Sequence, residues 1–111
     1  MCQRCEKAAE ASGISADILD LRTLMPWDKQ GVIESVKETN RCLIVHEDTR
    51  TAGFGAEISA VLSSEAFRYL DAPIKRLTMP DIPMPYNVDM MNNVLPDTEK
   101  IGETMKALIQ F

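Results

Sequence analysis

The chain has 111 residues, with 12 basic side chains, 17 acidic side chains and 45% hydrophobic composition. This length suits a single domain with one core. The net charge of −5 argues against nucleic acid or an anionic membrane as a partner, because both require a cationic face. Three cysteines cannot all pair, which argues against a disulfide framework. No long apolar run is present and the N-terminus is charged, so we expect a soluble, cytoplasmic domain.

The N-terminal part of the sequence predicts a helix and then a short strand. Apolar side chains recur at helical spacing over residues 1–12, and Gly13 follows where a left-handed residue would end the helix. Residues 17–25 predict a strand that ends at Pro26, because proline has no N–H for a ladder.

The next segment predicts a helix followed by a buried strand. Asp28 is the predicted N-cap of a helix over residues 29–39, and Asn40 is its predicted end. Residues 42–45 form a continuous apolar run of the kind found in strands that are buried on both faces.

The C-terminal half predicts a third helix, a third strand and a last helix. Apolar side chains recur at helical spacing over residues 54–69, residues 74–79 predict a strand, and prolines keep residues 80–95 irregular. Asp97 is the predicted cap of the last helix, in which Gly102 costs about 1 kcal/mol relative to alanine. Alternating helices and strands with short connections imply right-handed crossovers. We therefore predict an α/β fold with three layers, α/β/α, around a mainly parallel sheet.

Two groups of cysteine and histidine residues are candidates for catalytic or metal-binding chemistry. Cys2 and Cys5 form a CxxC motif, but no strand precedes it and no second ligand pair completes a zinc site. Cys42 and His46 are four residues apart in a predicted strand, about 13 Å along its axis at ~3.3 Å per residue, which is beyond hydrogen-bond reach. We therefore predict no catalytic, cofactor-binding or metal-binding residue in this chain. A thiol-redox role for the CxxC motif stays open as a weaker alternative.

The carboxyl end of the second predicted strand is the first candidate contact site. His46, Glu47 and Asp48 lie there, and in open parallel sheets ligands and partners gather at the carboxyl ends of the strands. A purely structural role for the lone histidine stays open. The Gly-Phe-Gly turn around Phe54 predicts the start of a helix. Two alternative roles for this turn stay open: it could bind a phosphate group, or it could pack closely against a neighbouring domain.

The proline-rich loop is the second candidate contact site. It carries Ile82, Met84 and Tyr86 among its prolines, and a rigid apolar loop loses little entropy on docking. We favour a protein interface at this loop over a substrate lid.

Four blocks of the sequence, in order, resemble one known family: residues 18–28 (ILDLRTLMPWD), 45–49 (VHEDT), 53–58 (GFGAEI) and 71–76 (DAPIKR). They are similar to the C-terminal transketolase-like domain of the beta subunit of thiamine-diphosphate-dependent 2-oxo-acid dehydrogenases. The pyruvate, branched-chain 2-oxo-acid and acetoin dehydrogenases share this domain. The resemblance runs from about residue 8 to residue 111, with the proline-rich loop in the position that the family's loop takes after its last strand.

The resemblance implies an oxidoreductase holoenzyme that decarboxylates a 2-oxo acid on thiamine diphosphate with magnesium and acylates the lipoyl group of a dihydrolipoyl acyltransferase. The cofactor lies between the alpha subunit and the N-terminal domain of the beta subunit, so this chain binds none and is inactive alone. Its implied roles are assembly with those partners into an oligomer and docking of the acyltransferase's basic subunit-binding domain. The docking candidates are Asp71 and the Phe111 carboxylate, and the charge of −5 agrees in sign with a basic partner.

One departure from the family concerns the start of the domain. The family's domain begins with a central apolar strand ahead of the first helix, and this sequence begins inside that helix. We therefore expect residues 1–111 to be one N-terminally truncated domain in which residues 18–24 and 42–45 lack a shared neighbour. Each unpaired buried backbone group costs about 1–3 kcal/mol, which makes native folding of the isolated chain doubtful. The alternative is a stand-alone protein-binding module derived from the same domain.

Overall fold

The computed structural model describes all 111 residues and contains five helices and two strands. The helices are α1 (Cys2–Ser12), α2 (Lys29–Thr39), α3 (Phe54–Glu65), α4 (Val88–Val94) and α5 (Thr98–Gln110), and the strands are β1 (Leu43–Thr49) and β2 (Lys75–Met79). A short 3-10 turn over Phe67–Tyr69 follows α3. None of the helices is both long and apolar enough to cross a lipid bilayer.

The sheet separates two apolar clusters because successive side chains of a strand point to opposite faces. β1 and β2 are parallel, with Leu43 opposite Lys75. Ile44 joins the larger cluster, which contains buried side chains of α2 and α3. Leu43 and Val45 face the other way, against the smaller cluster that α1 and α5 form around Cys5, Ala8 and Ile101. Helices cover both faces of a parallel sheet, so the predicted α/β class is confirmed.

Side-chain caps set the helix ends that the sequence predicts. The Asp28 carboxylate accepts a hydrogen bond from the Gly31 N–H at 3.0 Å at the start of α2. The Asp97 carboxylate accepts one from the Lys100 N–H at 2.8 Å at the start of α5. Asn40 ends α2 in the left-handed conformation with φ of 61°. These three predicted ends are confirmed.

Gly102 has a packing role that offsets its low helix propensity. A Cβ at this position would lie 2.9 Å from the Ser12 hydroxyl oxygen of α1. The bare glycine therefore lets α1 and α5 pack closely over the sheet. Gly13, which follows Ser12, has φ of 67° and ends α1 as predicted.

The predicted strand over residues 17–25 is wrong. This segment forms neither helix nor strand, and the one backbone hydrogen bond within it is the local bond from the Thr23 N–H to the Leu21 carbonyl. Arg22 adopts a left-handed backbone with φ of 55°, which breaks the extended run. Ile18 and Leu21 still pack on opposite faces of the sheet. The apolar anchors pack as predicted, but a strand also requires backbone pairing with a neighbour, and this segment pairs with neither β1 nor β2.

Two other boundaries differ from the prediction. β1 continues to Thr49, because that residue still pairs with Met79, so His46, Glu47 and Asp48 lie within the strand rather than after it. α3 ends at Glu65 and gives way to the 3-10 turn.

The segment predicted to be irregular over residues 80–95 contains α4. Asn87 caps this helix, and its side-chain oxygen accepts hydrogen bonds from the N–H groups of Asp89 and Met90 at 2.9 and 3.3 Å. The sequence has no proline between Pro85 and Pro96, so nothing in this interval prevents a short helix.

Candidate functional site

The candidate contact residues separate onto two surfaces at opposite ends of the sheet. The carboxyl-edge surface consists of His46, Glu47, Asp48, Ile82, Met84 and Tyr86, at and beyond the ends of β1 and β2. The amino-edge groove lies where the strands begin and is lined by Ser59, Ser63, Phe67, Leu70, Asp71, Ala72, Pro73, Ile74 and Phe111. The structure therefore brings Asp71 and Phe111 to one groove and places the other candidates elsewhere.

The amino-edge groove combines an apolar floor with exposed aromatic walls. Leu70 and Ile74 pack against the larger core cluster and form part of the floor of the groove. Phe67 is 72% exposed and Phe111 is 71% exposed, so neither ring is used to stabilise the core. Large apolar side chains left in solvent around a concavity are typical of contact sites.

Asp71 is the one charged side chain among the groove residues. It is exposed, and the three ion pairs of the chain do not include it. The groove thus offers an unpaired carboxylate beside aromatic side chains, an arrangement that suits a cationic, partly apolar ligand.

Phe67 is a groove residue that sequence reasoning missed. The sequence assigns it to a helix continuing to residue 69, whereas the structure ends α3 at Glu65 and carries Phe67 in the 3-10 turn. The only available signal was its position shortly before the Asp71 block, where a change of direction leads into β2.

The carboxyl-edge surface is held together by a hydrogen-bonded pair, Thr51 and Asp81. One carboxylate oxygen of Asp81 accepts from the Thr51 N–H at 2.8 Å and the other accepts from the Thr51 hydroxyl at 2.5 Å. These hydrogen bonds lower the pKa of the Asp81 carboxyl. They join the loop after β1 to the loop after β2, and neither residue was among the sequence candidates.

The proline-rich loop presents apolar side chains to solvent at this edge. Ile82 and Met84 are each 43% exposed, and Tyr86 is fully exposed. Val88 and Met90 extend the exposed apolar side chains into α4. The proline-rich loop and the start of α4 therefore leave several large apolar side chains in solvent at this edge.

His46 is packed against the start of α3. Its Nδ1 accepts a hydrogen bond from the Asp48 N–H at 3.1 Å, while Nε2 is buried without a hydrogen-bond partner. Burial lowers the pKa of the imidazole, the charge of Asp48 opposes that shift, and the charge of Arg76 adds to it. A Cβ on Gly55 would lie 2.3 Å from Nε2, so the glycine is required for this close contact.

The Gly-Phe-Gly turn does not fit a diphosphate cradle. α3 begins at Phe54, which confirms the predicted helix start, but the space beside Gly55 is filled by the His46 imidazole. The Phe54 ring packs edge-on against Trp27 with the ring centroids 6.2 Å apart, so it is largely engaged within the chain. The turn therefore leaves no space for the diphosphate of thiamine diphosphate beside Gly55.

All three cysteines are free. Cys5 and Cys42 lack the environment of reactive thiols. Burial raises the pKa of Cys5, with a smaller contribution from the charge of Cys2, and burial raises the pKa of Cys42 to about 11. A thiol acts as a nucleophile through its thiolate, so raised pKa values oppose reactivity. No group of three or more potential metal ligands lies together.

Comparison with known proteins now identifies the family. The model of the transketolase C-terminal domain matches residues 1–101, so the chain belongs to the transketolase C-terminal domain family. It is 41% identical over 109 residues to the mitochondrial pyruvate dehydrogenase E1 component subunit beta of Dictyostelium discoideum, covering 96% of this chain and 31% of that relative. It is 39% identical over 105 residues to the 2-oxoisovalerate dehydrogenase subunit beta of Pseudomonas aeruginosa, covering 95% of this chain and 29% of that relative. It is 42% identical over 103 residues to the 2-oxoisovalerate dehydrogenase subunit beta of Bacillus subtilis, covering 92% of this chain and 32% of that relative. The chain thus spans about a third of the length of these relatives, and the resemblance to beta subunits is confirmed.

Proposed function

We propose that this chain is the C-terminal domain of the beta subunit in the decarboxylating component of a 2-oxo-acid dehydrogenase complex, and that it docks the dihydrolipoyl acyltransferase through the amino-edge groove. The holoenzyme decarboxylates a 2-oxo acid on thiamine diphosphate with magnesium and acylates lipoyl groups. This domain contributes contacts rather than cofactor ligands. The named beta-subunit relatives support the class of complex.

The observation that carries the docking proposal is the meeting of Asp71 and Phe111 in one groove, although they are far apart in sequence. A basic subunit-binding domain would place an apolar side chain against the exposed rings of Phe67 and Phe111 and a cationic group beside Asp71. The terminal carboxylate of Phe111 adds a second anionic acceptor. Charge complementarity of this kind raises the association rate and fixes orientation.

The carboxyl-edge surface is the proposed contact with the alpha subunit and the N-terminal domain of the beta subunit. It lies at the opposite end of the sheet from the groove, so both surfaces are available at once. An oligomeric assembly in the cytoplasm follows from this proposal. Free thiols are compatible with that reducing compartment.

Isothermal titration calorimetry with the purified subunit-binding domain of the cognate acyltransferase tests the docking proposal. We expect Asp71→Asn to weaken binding about tenfold or more, because a hydrogen bond to a charged group is worth about 1.5–3 kcal/mol. Glu103→Gln is the matched control, since it removes one exposed carboxylate from α5 outside the groove. Equal losses in both variants, or no binding by the unaltered chain, would contradict docking at the groove.

A turnover assay tests the expectation that the chain is inactive alone. The chain is mixed with thiamine diphosphate, magnesium, 2-oxo acids and an artificial electron acceptor. We expect no decarboxylation above the background without protein. Turnover by the isolated chain would contradict the proposal that this domain contributes contacts and no cofactor ligands.

A further inference from the structure

Asn40 contacts the wall of the amino-edge groove that the 3-10 turn and Asp71 form. Its carbonyl accepts a hydrogen bond from the Asp71 N–H at 2.9 Å. Its side-chain Nδ2 donates to the Tyr69 carbonyl at 2.8 Å. One residue therefore holds the backbone on both sides of Leu70, a floor residue of the groove.

Arg41, the next residue, contacts the last turn of α5, which carries Phe111 and forms a second wall of the groove. Its Nε donates to the Leu108 carbonyl at 3.1 Å in a partly buried hydrogen bond. Leu108 lies in the last turn of α5, where carbonyl groups have no partner within the helix. Phe111 follows in the same turn, so fixing the Leu108 carbonyl restrains the position of the Phe111 ring.

The Arg41 guanidinium forms none of the three ion pairs of the chain. It is therefore free to act through a hydrogen bond from a charged donor to a backbone carbonyl, which is stronger than a neutral one. Asn40 is suited to its own position, because asparagine tolerates the left-handed conformation that it adopts there.

We propose that Asn40 and Arg41 are positioning residues that hold the two walls of the amino-edge groove in a preformed arrangement. The groove then takes an apolar side chain flanked by a cationic group without first ordering its own walls, which reduces the entropic cost of binding. The identity of that ligand as part of the acyltransferase rests on the proposed function. The bracing of the two walls does not depend on the identity of the ligand.

Arg41→Met tests the bracing of the α5 wall, because methionine keeps much of the aliphatic stem but removes the donor and the charge. We expect amide hydrogen exchange to become faster over residues 107–111 and binding of the subunit-binding domain to weaken about tenfold. Removing a cation would by itself strengthen binding of a basic partner. A loss of affinity therefore reports lost positioning rather than altered charge.

Arg68→Met is the matched control. Arg68 is exposed beside Phe67, and no hydrogen bond of its side chain is present in the structure. We expect this variant to leave exchange over residues 107–111 unchanged and affinity unchanged or improved. If Arg68→Met weakens binding as much as Arg41→Met does, the positioning role is wrong.

Asn40→Gly tests, independently of Arg41, the wall that the 3-10 turn and Asp71 form. If Arg41→Met fails to fold, this variant still tests whether the groove is braced. Glycine accepts the left-handed backbone, so only the side-chain bond to Tyr69 is lost. We expect faster exchange over residues 69–71 and several-fold weaker binding. Unchanged exchange at both walls, or affinities within twofold of the unaltered chain in both folded variants, would overturn the bracing. If the unaltered chain does not bind, the proposed function fails, while the exchange data still decide whether the walls are braced.

Discussion

Gly55 and His46 show at the scale of single residues how a short motif serves packing. The Cβ that any other residue would carry at position 55 falls 2.3 Å from the His46 Nε2. The start of α3 and the middle of β1 therefore approach each other as closely as they do because one side chain is missing and the other fills the space.

Gly55→Ala tests this contact. We expect a loss of about 1–3 kcal/mol in the free energy of unfolding, because the added methyl group overpacks a close contact. The same substitution in a His46→Ala background should cost clearly less, since the clashing ring is then absent. Urea unfolding of the four chains in this cycle gives the coupling, and equal costs in both backgrounds would contradict the contact.

The only histidine of the chain also predicts a dependence of stability on pH. Burial lowers the pKa of His46 below its ordinary value of 6.5, so the unfolded chain binds more protons just below that pH. Stability should therefore be full above about pH 6.5 and fall as the pH decreases through the folded pKa. His46→Gln should flatten the slope that begins below about pH 6.5, measured as the urea midpoint at each pH. A slope that persists in that variant would assign the effect to other groups.

Among helices and strands, the features that depend on one or two nearby residues were predictable from the sequence. The features that depend on residues distant in the chain were not. Asp28 and Asp97 cap helices as predicted because a cap needs only the next three residues. Residues 17–25 were assigned to a strand wrongly because a strand needs a partner that no local pattern reveals. α4 was missed because the prolines before it outweighed the Asn87 cap.

The residues of the candidate site likewise divide into those that the sequence predicts and those that only the fold reveals. The apolar loop around Ile82 and the polar end of β1 follow from the sequence pattern. Asp71 and Phe111 were named because of a resemblance to a family, and only the fold shows that they share a groove. The position of Phe67 before the Asp71 block was too weak a signal to predict a groove residue, because its exposure depends on where α3 ends.

The Asp97 cap of α5 makes a measurable contribution to stability. Asp97→Ala removes the acceptor of the Lys100 N–H and should lower the free energy of unfolding by about 1 kcal/mol. Glu103→Ala removes an exposed carboxylate from the same helix beyond its first turn and should change stability by less than about 0.5 kcal/mol. Thermal unfolding followed by circular dichroism compares them. Equal effects would show that the cap contributes nothing specific.

The whole molecule carries an excess of negative charge and two contact surfaces that do not overlap. The net charge of −5 favours the approach of a cationic partner from any direction, whereas the orientation of docking depends on where an acidic group lies beside apolar side chains. Asp71 meets both conditions at the amino-edge groove. Asp81 is bonded to Thr51 at the other end of the sheet.

Salt dependence separates these two contributions. We expect the affinity for the subunit-binding domain to fall as ionic strength increases, because exposed charges are screened over about 8–10 Å. Asp71→Asn should show a shallower dependence, whereas Asp81→Asn, at the opposite edge, should keep the dependence of the unaltered chain. Calorimetric titrations at low and physiological ionic strength measure both. A shallower dependence in both variants would mean that overall charge, rather than the groove, determines binding.

The parallel pairing of β1 and β2 has a consequence for the order of folding. An antiparallel pair can close from a tight turn, whereas these strands are joined by a crossover that contains α3 and the 3-10 turn. Thr49 and Lys75 cannot come into the same sheet until that crossover has become compact, and loop closure over such a distance slows folding. We therefore expect the collapse of α3 onto β1, through Ile44 and Ile58, to precede pairing of the strands. Residues that pack α3 should then control how fast the chain folds, and the groove should be completed last.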